Sequence, residues 1–229
     1  MTATLSFGDR LAESPVYQQF RDHPFFEAVD TAELSKDQAE ILIGQWWHPL
    51  HYFPTFLARC VAALPDIASK SAITRILNQE AGGGVVSQAH EIIYADSMDK
   101  CGFERNRVTG TEPYPETAAL VDGYRTASEG RESALGFIFA TETTDLLMVS
   151  SIGKAIKRTT GIADNEWVSI HVEQEPDHVE EANHALLAGF SAEEENLVLQ
   201  AANEMWQLWT AFFDRLAVET GVGSTAQGG

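Results

Sequence analysis

An all-α bundle of seven or eight helices is the fold class this sequence predicts, on three observations. Segments between turn signals carry apolar residues at helical spacing. No stretch of any length shows the period-2 alternation of a strand. Two capping boxes, Ser35-Lys-Asp-Gln38 and Ser191-Ala-Glu-Glu194, mark helix starts. At 229 residues and 44% hydrophobic content the chain can bury a sizeable core without disulfides. Residues 1–220 are expected to form one helical domain.

The elements follow in order. Behind Ser35 an apolar-rich helix runs from Ile41 to Leu64, and Pro49 and Pro54 are expected to kink or split it. Asp66 caps a helix to about Glu80, which Gly82-Gly83-Gly84 stops. The next helix is expected from about Val86 to Cys101, with Gly102 as its C-terminal stop. Residues 103–114 read as a loop containing Gly110 and Pro113. Pro115 suits a first helical turn, giving a short helix over 115–128. Ser133 to Lys157 is apolar and free of proline, which predicts a buried helix. Asn165 to Ala188 is another, with Pro176 in its middle, and Ser191 starts one to about Thr220. The Gly/Ser-rich stretch 221–229 is expected to be a disordered tail.

The formal net charge is −19, from 34 acidic against 15 basic residues. That argues against nucleic acid and against anionic membrane surfaces, because binding phosphate needs a cationic face. Charged residues and histidines interrupt every apolar run before about 18 residues, so no spanning helix is expected. Met1 to Asp9 lacks a basic segment followed by an apolar one, so no secretory signal is expected. Cys60 and Cys101 form neither a CxxC nor a disulfide framework, and the simplest reading is a reduced, cytoplasmic protein.

Three local patterns carry chemistry. In His171-Val-Glu-Gln-Glu175-Pro-Asp-His178, offsets of +4 and +7 put His171, Glu175 and His178 on one helix face. Two imidazoles and a carboxylate on one stripe suit iron, manganese or zinc. The alternative is a solvated acidic helix with two incidental histidines, since Glu173, Asp177, Glu180 and Glu181 make the segment generally acidic. In Asn78-Gln-Glu80-Ala-Gly-Gly-Gly-Val-Val-Ser-Gln-Ala-His90, three glycines allow a tight reversal that lets Glu80 and His90 point into one site. A surface Glu before a flexible turn is the competing account. In Leu135 to Val149, Glu142 stands in apolar sequence, where burying a charge is costly unless it is paired or bound to metal. Asp145 lies one turn on, and one of the two could mark an exposed helix edge. Glu142, with the more apolar flanks, is the expected interior carboxylate.

Three carboxylates and three histidines from separate helices suit two metal ions with open positions. A mixed nitrogen and oxygen set without thiolate favours iron or manganese over a structural zinc. The remaining singled-out residues say less. Trp46, Trp47, Tyr52 and Phe53 read as core, while His48 and His51 line a pocket or fill core or rim. His184, about 240° round the helix from His178, should face away, and Asp177 is displaced by about 100°. His23, Cys60 and Cys101 show no partner in the sequence.

The order Glu80-x9-His90, then Glu142 in an apolar helix, then His171-x3-Glu175-x2-His178, resembles the haem-oxygenase-like diiron oxidases, the iron-containing redox enzyme family. Gln45-Trp-Trp-His-Pro-Leu-His-Tyr-Phe-Pro54 also resembles the aromatic helix preceding the first ligands there. The resemblance covers about residues 15–215. It implies a bundle of haem-oxygenase type, related in fold to TenA and PqqC. It also implies two Fe(II) ions per chain, with manganese possible, and O2 as co-substrate. Glu80, His90, Glu142, His171, Glu175 and His178 would be the metal ligands, with Glu142 bridging. The implied activity is oxidation of a small organic substrate, amino-acid-derived by preference, through N-oxygenation, C–C or C–N cleavage, or desaturation. A homodimer is expected by the same analogy. Many members carry Asp where Glu175 stands, and Pro176 should disrupt the helix between two ligands. The alternatives are a metal-free enzyme of TenA or PqqC type on the same scaffold, or a non-catalytic binding protein. A TenA-type hydrolase would need an activated cysteine, and neither Cys60 nor Cys101 sits in an activating sequence.

Overall fold

The computed structural model describes residues 7–186 and 189–223. Its described residues contain eleven α-helices and no strand. Seven are long: α4 (Lys36–Ala63), α5 (Ile67–Glu80), α6 (His90–Lys100), α8 (Pro115–Ala127), α9 (Arg131–Thr160), α10 (Glu166–Leu186) and α11 (Ala192–Thr220). Four are short: α1 (Phe7–Ala12), α2 (Pro15–Arg21), α3 (Pro24–Val29) and α7 (Arg105–Thr109). The long set accounts for the predicted bundle, and the short ones are additions to it.

Both capping boxes form as expected, with reciprocal side-chain and backbone bonds at Ser35/Gln38 and Ser191/Glu194. Asp66 accepts the Ser69 N–H and starts α5. Several boundaries differ from expectation. Neither Pro49 nor Pro54 ends α4, and Pro176 does not end α10. Each proline removes one helical donor only, and the packing of neighbours holds the rest of the turn. For Pro176 the deprived carbonyl belongs to Val172, which is 53% exposed, so the lost bond falls on the outer side of α10.

The helix expected from Val86 begins at His90 instead. Gly82, Gly83 and Gly84 all take positive φ (78°, 60° and 89°), which only glycine adopts without strain. A Cβ at Gly82 would meet the Ala89 nitrogen at 2.5 Å, so the chain doubles back tightly, and a 3-10 turn over Val86–Gln88 uses up the intervening residues. The expected loop over 103–114 contains α7. Of the proposed tail, Gly221 to Gly223 are described, with Gly221 in the left-handed region closing α11; residues 224–229 lie outside the described residues.

α9 is the axis of the molecule, packing against α11, α10, α4, α3 and α8. By length and composition it is apolar enough to cross a membrane, contrary to the expectation that charges interrupt every such run. In the fold, 72% of that apolar window is buried among the other helices. Gly136 permits the closest approach: an added Cβ would stand 2.5 Å from the Val198 carbonyl oxygen of α11. The core is a continuous cluster rich in aromatics, including Trp46, Trp167, Trp206 and Trp209. Trp46 stacks on Trp209 with centroids 5.3 Å apart. These rings form one wall of the space between α4, α9 and α10, where the polar residues of interest converge.

Candidate metal centre

Each expected site residue is placed by a different local rule. Glu80 is the last residue of α5, and His90 the first of α6, so the glycine turn sets them side by side. A carboxylate at a helix C-terminus is disfavoured by the helix dipole, so this position has a cost that a neighbouring cation must offset. Glu142 projects from the middle of α9. His171, Glu175 and His178 form the inner stripe of α10, while Val172, Glu173, Pro176 and Asp177 between them are exposed.

The structure brings all six together, each between 1% and 4% exposed. They fall into two triplets, Glu80/His90/His171 and Glu142/Glu175/His178, and within each triplet the possible ligand atoms lie within 4.8 Å of one another. His90 Nδ1 is 3.0 Å from Glu80 Oε1. The alignment does not make this a hydrogen bond, and Nδ1 has no other partner. His178 Nδ1 lies 3.3 Å from Glu142 Oε2 and 3.9 Å from both Glu175 Oε2 and Glu80 Oε1, which joins the triplets. Glu142, expected as the bridging carboxylate, groups with the second triplet in this arrangement.

The imidazoles are oriented from outside. A backbone carbonyl only accepts, so His171 Nδ1–H donates to Trp167 O at 2.7 Å and leaves Nε2 for the site. His90 Nε2–H likewise donates to the Gln174 amide oxygen at 3.2 Å, leaving Nδ1 facing Glu80. Holding the second nitrogen in this way is how proteins fix metal-binding histidines.

Two neighbours join the six. Asp145 has 15% side-chain exposure, so it is no helix edge; its Oδ2 is 4.0 Å from His171 Nε2. Gln174 supplies the acceptor for His90. A sequence signal existed for Asp145, at i+3 from Glu142 on one helix face. None marked Gln174. Trp46, Pro49, Leu50, Phe53, Tyr124, Thr141 and Trp209 line a cavity of about 30 Å³ against Glu80, Glu142, Asp145, His171 and His178. His48 and His51 are elsewhere: His48 borders a separate surface pocket with Tyr52, and exposed His51 pairs with Glu91. His184 is turned outward as expected, beside Glu180 and Glu181. His23, for which the sequence shows no partner, caps α3 through Nδ1, which accepts the Phe25 N–H.

The electrostatics are those of crowded acids. Burial pushes the Glu80 carboxyl up, but His90, His178 and His171 outweigh it and hold it at about 2. Burial raises Asp145 to about 6, with the Glu80 charge adding to it. Burial also raises Glu142 and Glu175, the latter further through Asp145 and Glu142. Burial opposes the charged form of His178, yet Glu142 and Glu80 lift it to about 9. Burial, followed by repulsion from His90, lowers His171 to about 4. Among the described residues, no lysine or arginine pairs with any of these four carboxylates. Glu142 Oε1, both Glu175 oxygens, Asp145 Oδ2 and His178 Nε2 are buried without a hydrogen-bond partner. Lone buried acceptors facing one another are costly, and cations among them remove the conflict. The donor set therefore fits divalent metal of the iron or manganese kind.

Comparison with known proteins agrees with this chemistry. The family model described as iron-containing redox enzyme matches residues 41–210. The chain belongs to the iron-containing redox enzyme family. All six site residues of this family member lie within the matched stretch. It is 26% identical over 161 residues to 4-chloro-allylglycine synthase of Streptantibioticus cattleyicolor. That match covers 69% of this chain and 61% of the synthase, so it spans about three fifths of the relative's length. Among solved structures, a CADD-like protein of unknown function from Nostoc punctiforme superposes with a TM-score of 0.78 at 16% identity, covering 93% of this chain and 95% of that one. A domain of unknown function from Shewanella denitrificans, described as having a haem-oxygenase-like fold, gives 0.69 at 18% identity, covering 96% and 90%. At these identities the structural likeness establishes the fold of the family member and nothing further. The fold is haem-oxygenase-like, as the motif resemblance implied.

Proposed function

We propose that this family member is a non-haem diiron oxidase that activates O2 to oxidise a small, amino-acid-derived substrate. The observation that carries the reading is the pair of buried triplets, with one unsatisfied buried atom (His90 Nδ1) in the first and four in the second, and, among the described residues, no lysine or arginine to neutralise their carboxylates. Glu80, His90 and His171 would hold one iron, and Glu142, Glu175 and His178 the other. When bound, two Fe(II) ions supply the electrons and the coordination positions for O2 reduction.

The chain's own residues do the rest. Trp167 O and Gln174 keep His171 and His90 in the tautomers that present a lone pair inward. Trp46, Leu50, Phe53 and Trp209 exclude bulk water from the cavity, and the Tyr124 hydroxyl is held by Thr141 Oγ1 at 3.0 Å. At about 30 Å³ the cavity is far below the roughly 300 Å³ of an ordinary small-molecule pocket, so substrate entry requires this wall to part. Its apolar lining suits an aliphatic side chain. The name of the curated relative, a synthase of a chlorinated α-amino acid, supports an amino-acid-derived substrate. The cysteine chemistry of a TenA-type hydrolase finds no support: Cys60 and Cys101 are buried, and burial raises both thiols.

The test is oxygen uptake by protein loaded anaerobically with Fe(II), screened against aliphatic and basic L-amino acids. At least one amino acid should give uptake coupled to its own consumption. Uptake no faster than that of Fe(II) in buffer, with every candidate, would contradict the proposal.

A further inference from the structure

We propose that Asp145 is a seventh protein ligand of the metal centre, its carboxylate serving both triplets. The assignment rests on the diiron reading above and adds to it a residue outside the six-ligand pattern. Asp145 stands one turn after Glu142 on α9 and lines the same cavity. Its Oδ2 lies 4.0 Å from Nε2 of His171, the nitrogen that His171 turns inward, and so reaches the first triplet. The same carboxyl group raises that of Glu175 by charge and by side-chain interaction, and so bears on the second. Asp145 Oδ2 is buried and accepts no hydrogen bond, and both Glu175 oxygens are in the same condition, with Glu175 only 2% exposed.

An acid retained for structure would be met by an N–H, a hydroxyl or a basic side chain, as Asp66 is by Ser69. Among the described residues Asp145 meets no backbone N–H, hydroxyl, lysine or arginine: the groups facing it are the acids Glu80, Glu142 and Glu175 and the histidines His171, His178 and His90. Two abutting carboxylates persist only with a shared proton or a shared cation. Charge balance points to the cation. Glu80, Glu142 and Glu175 leave two divalent ions with an excess positive charge in a dry interior. A fourth carboxylate brings that buried assembly to neutrality, and a buried net charge is expensive.

Mn(II) binding tests this without reference to turnover. Free Mn(II) is counted by its electron paramagnetic resonance signal during titration of wild-type protein and of D145N, with circular dichroism and melting temperature recorded metal-free. Wild type should take up two Mn(II). D145N should keep the helical fold and the metal-free melting temperature, and should bind at least one of the two ions about tenfold or more weakly, the scale of loss seen when even outer-sphere metal partners are removed. Should D145N fail to fold, D145S is read in the same way. Two ions bound with wild-type affinity by the variant overturn the Asp145 assignment alone. Fewer than two bound by wild type overturn the diiron reading, and this assignment with it.

Discussion

Replacing Glu142 by alanine is expected to reduce oxygen-dependent turnover by roughly a thousandfold or more, since metal chemistry contributes several kcal/mol of barrier lowering and each 1.4 kcal/mol is a factor of about ten. The carboxylate sits 2% exposed in mid-α9, 3.3 Å from His178, with one oxygen unpartnered. Its loss removes one of three donors from the second triplet. The same substitution should not weaken the metal-free fold. Glu142 is raised by burial; His178 favours its charged form but does not outweigh burial together with the charges of Asp145 and Glu80, so its removal gives up one imidazole contact and relieves desolvation and repulsion among acids. The expected pair of results is therefore opposite in sign: activity falls to background while the metal-free melting temperature holds or rises. An ordinary core residue would lose both together. A Glu142→Ala protein that retains full turnover would exclude Glu142 from the chemistry.

The second large effect is on stability. Trp206→Ala should cost about 3–5 kcal/mol, the usual range for truncating a fully buried tryptophan. For a chain of this length that lowers the melting temperature by roughly 10 °C. Trp206 is fully buried on α11, and its indole N–H donates to the Ala140 carbonyl of α9 at 3.1 Å. It also packs on Tyr17 of α2, with centroids 4.9 Å apart. The substitution thus opens a cavity and strips a buried carbonyl two residues from Glu142. Thermal unfolding of the metal-free variant measures the loss; a change below about 1 kcal/mol would show that α11 does not hold α9 in place through this residue.

Much of this arrangement was legible in the sequence because its signals are local. Capping boxes at Ser35 and Ser191 act through side chains three residues apart, and both form. The spacing of His171, Glu175 and His178 is a property of helix geometry, so their shared inner face follows from residue number alone. Glu80 and His90 needed a stronger assumption, that the glycine turn would bring two helix ends together, and the positive φ of all three glycines is what makes it hold.

What was not legible depends on packing. α9 is apolar nearly all round, so periodicity does not say which of Glu142 and Asp145 faces inward; packing of α10 and α4 against α9 turns both that way. The prolines of α4 read as breaks because propensity counts their missing donor and not the neighbours that hold the turn. Pro49 in fact lines the cavity beside the site. The short N-terminal helices α2 and α3 left a signal that length concealed: Ser14-Pro15 and His23-Pro24 each pair a cap with proline at the first helical position. Gln174 as the partner of His90 belongs to tertiary contact between α10 and α6, and no spacing rule reaches across that distance.

The most direct test of the central claim is the iron content of the protein itself. Metal-free protein is loaded anaerobically with excess Fe(II), freed of unbound metal by gel filtration, and assayed for iron per chain. Two ions per chain are expected, one for each triplet, falling in the Glu142→Ala and His178→Ala variants. Wild-type protein that retains no iron, or variants that retain as much as wild type, would contradict it.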